Sequence, residues 1–165
     1  MSYHIYTTDG IVLNVWPKNE SDRIYSILTR DFGLIRARAL GVRKEASKLR
    51  GSLEPFCLSK VSLVRGKEYW RTTSAESVQS ISFSPAIARP LVLLSKLVQG
   101  ESPNPELFDT VSKALISKGP DEELFEIHLV SQILYHLGYM KKEDLELDKK
   151  SLVKAINEGI QASHL

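Results

Sequence analysis

Leu34-Ile35-Arg36-Ala37-Arg38-Ala39-Leu40-Gly41-Val42 alternates residue by residue, with Ile35, Ala37 and Ala39 on one face and Arg36 and Arg38 on the other. A period of two marks a β-strand with one side in a core and the other in water. The next residues, Arg43-Lys44-Glu45-Ala46-Ser47-Lys48-Leu49-Arg50-Gly51-Ser52, form a loop dense in Lys, Arg, Ser and Gly. From Arg36 to Arg50 there are six basic residues (Arg36, Arg38, Arg43, Lys44, Lys48, Arg50) and one acid, Glu45. A strand with arginines on its outer face, followed by a basic loop, suits a polyanion, and the phosphate backbone of a nucleic acid is the leading candidate.

Outward from this strand, the first 80 residues read as β. Ile11, Leu13 and Val15 alternate with Val12, Asn14 and Trp16. Pro17-Lys18-Asn19-Glu20-Ser21-Asp22 is a turn by composition. Arg23–Thr29 is rich in β-branched and aromatic residues, Asp31-Phe32-Gly33 punctuates it, and Phe56–Val64 and Glu68–Thr73 are further runs joined at Arg65-Gly66-Lys67. Five short strands with polar turns fit a small closed barrel, because an open sheet of that size leaves long edges unpaired. The expectation is an α+β protein: a five-stranded OB-type β-barrel over residues 1–80, then an α-helical domain over residues 84–165. A three-on-two sandwich is the alternative for the first part.

After Phe83 the period changes. Ser84-Pro85 reads as an N-cap with proline at the first helical position, but Arg89-Pro90 places the regular helix from about Pro90 to Val98. Asn104-Pro105 repeats the start signal, with Leu107, Phe108, Val111, Leu115 and Ile116 at helical spacing. Asp121 caps a third helix whose apolar residues cover more than half its circumference, as expected of the central helix of a bundle. Gly138 ends it. The acids Asp121-Glu122-Glu123 suit a helix N-terminus. Lys141–Lys150 reads as a charged linker, and Ser151–Gln161 as a last helix with Leu152, Val153, Ile156 and Ile160 on one face.

The 165 residues are 42% hydrophobic and 25% charged, ordinary globular values that argue against wholesale disorder. The net charge of +2 implies no partner by itself, but its distribution does: residues 1–80 hold 13 Lys/Arg against 8 Asp/Glu, and residues 81–165 hold 9 against 12. The one cysteine, Cys57, excludes an internal disulfide and a cysteine-based zinc cluster, which fits a reducing, cytoplasmic setting. The N-terminus lacks a basic start followed by an apolar run, so no signal peptide is expected. No apolar stretch approaches the length of a membrane span, and no membrane partner is expected.

The residues expected to contact DNA are Arg36, Arg38, Arg43, Lys44, Lys48 and Arg50, joined by Arg65, Lys67 and Arg71 on or beside the connection between strands four and five, a loop that often lines the OB ligand groove. Tyr25, Tyr69 and Trp70 are candidates to stack on unpaired bases, each with core packing as the competing role. No catalytic set is visible. His128 and His136 are separated along one helix by about 12 Å, too far to share a metal. No zinc-protease, phosphate-loop or nucleophile-elbow motif is present.

Gly41-Val42-Arg43-Lys44 with Ser47-Lys48-Leu49-Arg50-Gly51-Ser52-Leu53-Glu54-Pro55-Phe56 resembles a signature of the RecO family of bacterial DNA repair and recombination proteins. Gly10-Ile11-Val12-Leu13 and Glu20-Ser21-Asp22-Arg23 are similar to that family's first strand and turn. Gly66-Lys67-Glu68, Thr73-Ser74-Ala75-Glu76, Pro103-Asn104-Pro105-Glu106-Leu107-Phe108 and Phe125-Glu126-Ile127 with Leu137-Gly138-Tyr139 follow in the family's order, so the resemblance covers residues 8 to 140. It implies an OB-fold, a helical domain and no catalytic activity. It further implies binding to single- and double-stranded DNA and annealing of strands coated by single-strand-binding protein. Loading of a recombinase with a RecR-type partner is also implied, with a cytoplasmic, nucleoid-associated location. After Tyr139 the chain departs from the pattern. Many family members carry a four-cysteine zinc cluster there, whereas no zinc or other cofactor is expected here, and partner contacts made by that region are in question.

Three other readings compete. An RNA-binding OB-fold protein needs the same stacking and phosphate-binding surface. A protein-interaction adaptor would carry its function in the helical half. A small enzyme would need an acid–base set that this sequence lacks.

Overall fold

A computed structural model describes residues 3–79 and 81–165. Met1 and Ser2, the start of the stretch read as lacking a signal peptide, lie outside the described residues, as does Ser80 at the expected barrel boundary. The chain divides into two compact units, Met1–Ser82 with Gly100–Asn104 and Phe83–Gln99 with Pro105–Leu165.

The first unit is a closed five-stranded barrel. Its strands are β1 (Ile5–Pro17), β2 (Arg23–Thr29), β3 (Gly33–Ala39), β4 (Leu58–Val64) and β5 (Trp70–Gln79). The order around the barrel is β1-β2-β3-β5-β4, closed by β4 against β1. All pairs are antiparallel except β3 with β5, which run parallel at Ala37↔Trp70 and Arg38↔Arg71. This is the OB arrangement, and closure leaves no long open edge. The barrel interior holds Val12, Tyr25, Ile27, Ile35, Ala37, Ala39, Val61, Leu63 and Trp70, with Val42 and Leu53 completing it from the connection after β3.

β1 departs from simple alternation. Its register against β2 shifts between Val12 and Asn14. Before the shift Val12 faces Ile27 inside the barrel, and after it Val15 faces Tyr25 inside. The expected grouping of Ile11, Leu13 and Val15 on one face is therefore wrong, as is that of Val12 with Trp16. A bulge inserts one residue, and one residue reverses the side of every later side chain.

The segment Gly100–Asn104 belongs to the barrel unit. Leu34 N–H donates to the Gly100 carbonyl at 3.1 Å. A Cβ on Gly33 would lie 2.6 Å from the Ser102 backbone, so the close approach admits only glycine.

The second unit contains α1 (Pro85–Leu97), α2 (Pro105–Ile116), α3 (Glu122–His136) and α4 (Lys149–Ala162). Helix α3 is central and touches the other three. Asp121 caps it by accepting from Leu124 N–H at 3.0 Å. At its other end Tyr139 N–H reaches the Leu134 carbonyl at 2.8 Å and Gly138 N–H the Tyr135 carbonyl at 3.0 Å, the paired bonds of a Schellman ending.

Two expectations fail in this unit. Helix α1 begins at Pro85 and runs through Pro90 instead of starting there. Pro90 forfeits one bond, to the Ala86 carbonyl, and the helix retains a buried face of Ala86, Ile87, Pro90, Leu91 and Leu94. Lys141–Lys150 is not a linker: it holds a 3-10 turn at Lys142–Glu146, and Asp148 caps α4 by accepting from Ser151 N–H. Leu145 of the turn packs against Leu134, Met140, Leu152 and Ile156. Ile116, read at helical spacing with Leu107, Phe108, Val111 and Leu115, and Val153, read on one face with Leu152, Ile156 and Ile160, are exposed at the margins of those faces.

Candidate nucleic-acid interface

The turn between β1 and β2 is built by its polar side chains. Asn19 Oδ1 accepts from the backbone N–H groups of Ser21 and Asp22, at 2.9 and 2.8 Å. This turn aims Asp22, which is 5% exposed, under the barrel rim. One oxygen of Asp22 accepts from Arg38 Nε and Nη2 at 3.1 and 2.6 Å, and from Asn19 Nδ2 at 3.0 Å. The other accepts from Gly41 N–H at 2.7 Å and from the Ser21 hydroxyl at 3.1 Å. The Gly41 amide and then the Arg38 guanidinium hold this carboxyl well below the usual carboxylate range.

Gly41 turns the chain out of β3 with a φ of +63°, a left-handed conformation that side chains disfavour. The basic loop begins there and is tied to the β1–β2 turn. Arg43 N–H donates to the Ser21 carbonyl at 2.9 Å, and Arg43 Nη1 to the Asn19 carbonyl at 2.8 Å. Successive turn bonds follow, from Lys44 N–H to the Gly41 carbonyl and from Ser47 N–H to the Lys44 carbonyl. A 3-10 turn at Arg50–Ser52 completes the loop. Val42 and Leu53 anchor its ends in the barrel core and Leu49 packs against that core between them. Apolar anchors point in, so Arg43, Lys44, Lys48 and Arg50 point out and are exposed.

The nine expected contact residues divide by their surroundings. Arg36, Lys44, Lys48, Arg50, Lys67 and Arg71 are exposed and form no ion pair among the described residues. Arg71 lies beside a ring, its guanidinium carbon 5.8 Å from the centre of Tyr3. Arg43 is exposed but partly used by Asn19. Arg38 is committed to Asp22 and positions the loop. Arg65 is stacked 4.3 Å from the Trp70 ring centre and paired with Glu101 at 3.2 Å, so much of its charge is already answered.

The stacking residues need correction. Tyr25 is 1% exposed and Trp70 is 3% exposed, so neither offers a face to a base. Tyr25 points into the barrel opposite Ala37, and burial pushes its phenol up. Trp70 packs edge-on against Tyr6 and tilted against Phe32, and its indole N–H donates to Glu101 at 2.8 Å. Both side chains fill the interior because their strands need large residues there. Tyr69, on the opposite side of the strand connection from Trp70, remains half-buried and reachable.

The residue that sequence reading missed is Trp16, 43% exposed at the end of β1. Lys18 was missed with it. Together with Pro17, Ile24, Arg36 and Tyr69 they line a concavity of about 370 Å³ on the outer face of β1, β2 and β3. The Arg36 guanidinium carbon is 5.9 Å from the Trp16 ring centre, and Lys18 Nζ is 5.3 Å from that of Tyr69. The only signal in the sequence was the aromatic–Pro–Lys order at the strand end, and its parity was hidden by the bulge.

Residues 1–81 match the family profile described as the N-terminal region of recombination protein O. The chain belongs to the RecO family. A DNA repair protein RecO of Dehalococcoides mccartyi is 37% identical over 145 residues, covering 80% of this chain and 57% of that protein. That of Trichodesmium erythraeum is 31% identical over 156 residues, covering 94% and 50%. That of a Synechococcus strain is 46% identical over 81 residues, 49% of this chain and 28% of its own. The chain thus spans about half the length of the curated RecO relatives it matches. The RecO resemblance read from the basic loop and its flanks therefore holds, and so does the OB barrel with a helical unit after it.

Among the described residues, no group of three or more His, Cys, Asp or Glu side chains is placed to hold a metal ion. No helix among them is long and apolar enough to cross a membrane.

Proposed function

We propose that this RecO chain is a non-enzymatic DNA-binding protein of recombinational repair, acting in the bacterial cytoplasm at the nucleoid. It binds single- and double-stranded DNA through the outer face of β3 and the basic loop, and holds two partly neutralised strands close enough to anneal. The observation that carries this reading is the loop itself: Arg43, Lys44, Lys48 and Arg50 are exposed on a backbone pinned by Asp22, Val42 and Leu53. A preorganised row of cations loses little entropy on meeting phosphates. Affinity should come mainly from counterion release and show slight sequence preference, since exposed loop cations meet phosphates, which every sequence carries.

The named relatives are DNA repair proteins, which supports the repair setting. Partnership with a RecR-type protein and action on DNA coated with single-strand-binding protein are part of the same proposal. The deciding experiment is the salt dependence of binding to a fluorescent single-stranded oligonucleotide. Wild type should show log K falling with log salt at a slope of about −2 to −4, at roughly −0.7 per phosphate contact. Arg43→Glu/Lys44→Glu should lose both affinity and slope, together with annealing of complementary strands. A double variant that binds and anneals like wild type would remove the loop from the proposal.

A further inference from the structure

We infer that the concavity between Trp16 and Tyr69 is a pocket for one unpaired nucleotide, and that it gives this protein its means of telling single strands from duplex. The inference rests on the DNA-binding reading above and adds to it a ligand and a selectivity.

The pocket exists because of the β1 bulge. Without the shift between Val12 and Asn14, Trp16 would follow Val12 into the barrel and Val15 would face water. With it, Trp16 stands on the outer face opposite Ile24, whose buried side chain floors the concavity. Bulges commonly re-aim a side chain in this way beside a binding site.

The chemistry of the lining specifies the ligand. Two aromatic rings provide flat apolar surface, two cations lie within 6 Å of those rings, and no acid is among the six lining residues. A ligand matching this set carries a flat ring and a negative charge a few ångströms apart, which describes a nucleotide. The volume falls at the lower end of the small-ligand range of about 300–1,000 Å³. A base stacked on both sides needs about 7 Å between its neighbours, at about 3.5 Å per contact. The present 5.9 Å between Arg36 and Trp16 widens to that with a movement of about 1 Å, and Arg36 is exposed with no ion pair to restrain it. Lys18 then meets the attached phosphate. A paired base has both faces covered by its neighbours in the duplex and cannot enter.

Trp16 reports on its own pocket. The chain has two tryptophans, and Trp70 is 3% exposed. The test titrates the full chain, Trp16→Ala and Trp16→Phe with an oligo-dT strand and with a blunt duplex of equal length, following both tryptophan fluorescence and ligand anisotropy. The strand should quench wild-type fluorescence and the duplex should bind without quenching. Trp16→Ala should weaken strand binding by about 5- to 150-fold, the range of one base–aromatic stack, and change duplex binding less than about twofold. Trp16→Phe should retain most of the strand affinity. Trp16 is 43% exposed, so more than half of it is covered and Trp16→Ala should lower the melting point; binding is read well below that point, with the equal-length duplex as the control for folded protein. If wild type binds the strand but Trp16→Ala does so equally well, or loses strand and duplex alike, the pocket is overturned and the basic-loop reading survives. If wild type binds neither ligand, the DNA-binding reading fails and the pocket fails with it.

Discussion

Arg38 donates from both Nε and Nη2 to a single carboxylate oxygen of Asp22, at 3.1 and 2.6 Å, while the second oxygen holds the Gly41 amide at 2.7 Å. One side chain from the β1–β2 turn thereby fixes the end of β3 and the start of the basic loop. The arginine expected to touch DNA is instead the partner that keeps this carboxylate in place. Its neighbour Arg36, one pleat away on the same face, is exposed, carries no such bond and lies over the Trp16 ring.

Asp22→Asn should destabilise the protein by about 2–3 kcal/mol, the size of one or two hydrogen bonds to a charged group. The side chain of Arg38 is 37% exposed, so solvent screening holds the loss below that of a fully buried pair. Urea unfolding measures it. The same variant should bind DNA more weakly although no phosphate contact is removed, because the loop loses its tether.

Acid should have the same effect. The Asp22 carboxyl is held well below its ordinary range in the folded protein. Its stabilising contribution is therefore fully present above the unfolded value of about 3.9 and is lost as pH falls below it. Melting points of wild type and Asp22→Asn should differ most at neutral pH, begin to converge as the pH falls below about 4, and continue converging well below about pH 3, because the folded-state value lies far under the unfolded one. A constant difference across that window would remove Asp22 as the group responsible.

Gly41→Ala isolates backbone strain. An added Cβ would lie 3.6 Å from Lys44 Cδ, an ordinary contact, so the cost is the left-handed φ of +63° alone. About 1–2 kcal/mol is expected, read by thermal or urea unfolding. The backbone amide at this position is retained in the variant and can still reach Asp22, so DNA affinity measured well below the melting point should change little.

Charge removal should sort the basic residues by their surroundings. Lys44→Ala, Lys48→Ala and Arg50→Ala should each lower the magnitude of the salt slope for a single strand by about 0.7. Arg65→Ala should leave the slope nearly unchanged, since that side chain is paired with Glu101 and stacked on Trp70. Equal losses at Arg65 and Lys44 would show that the Glu101 pair opens on binding.

Much of this protein was legible from local chemistry. The bounds of β2 follow from its β-branched and aromatic composition between polar turns, and the inward face of β3 from a period of two. The cap at Asp121 and the ending at Gly138 follow from side-chain and backbone hydrogen bonding within a few residues, and the family motif lies in one continuous stretch from Gly41 to Phe56. These features depend on neighbours in sequence, so sequence by itself determined them. Tertiary structure alone decided which side of β1 carries Trp16, which carboxylate holds Arg38, and that Tyr25 and Trp70 are interior. Each depends on register: a one-residue bulge against β2, a contact spanning the β2–β3 hairpin, and closure of a barrel whose interior must be filled. Helix α1 shows the same rule, since a proline that locally argues for a boundary is carried through by the burial of the face around it.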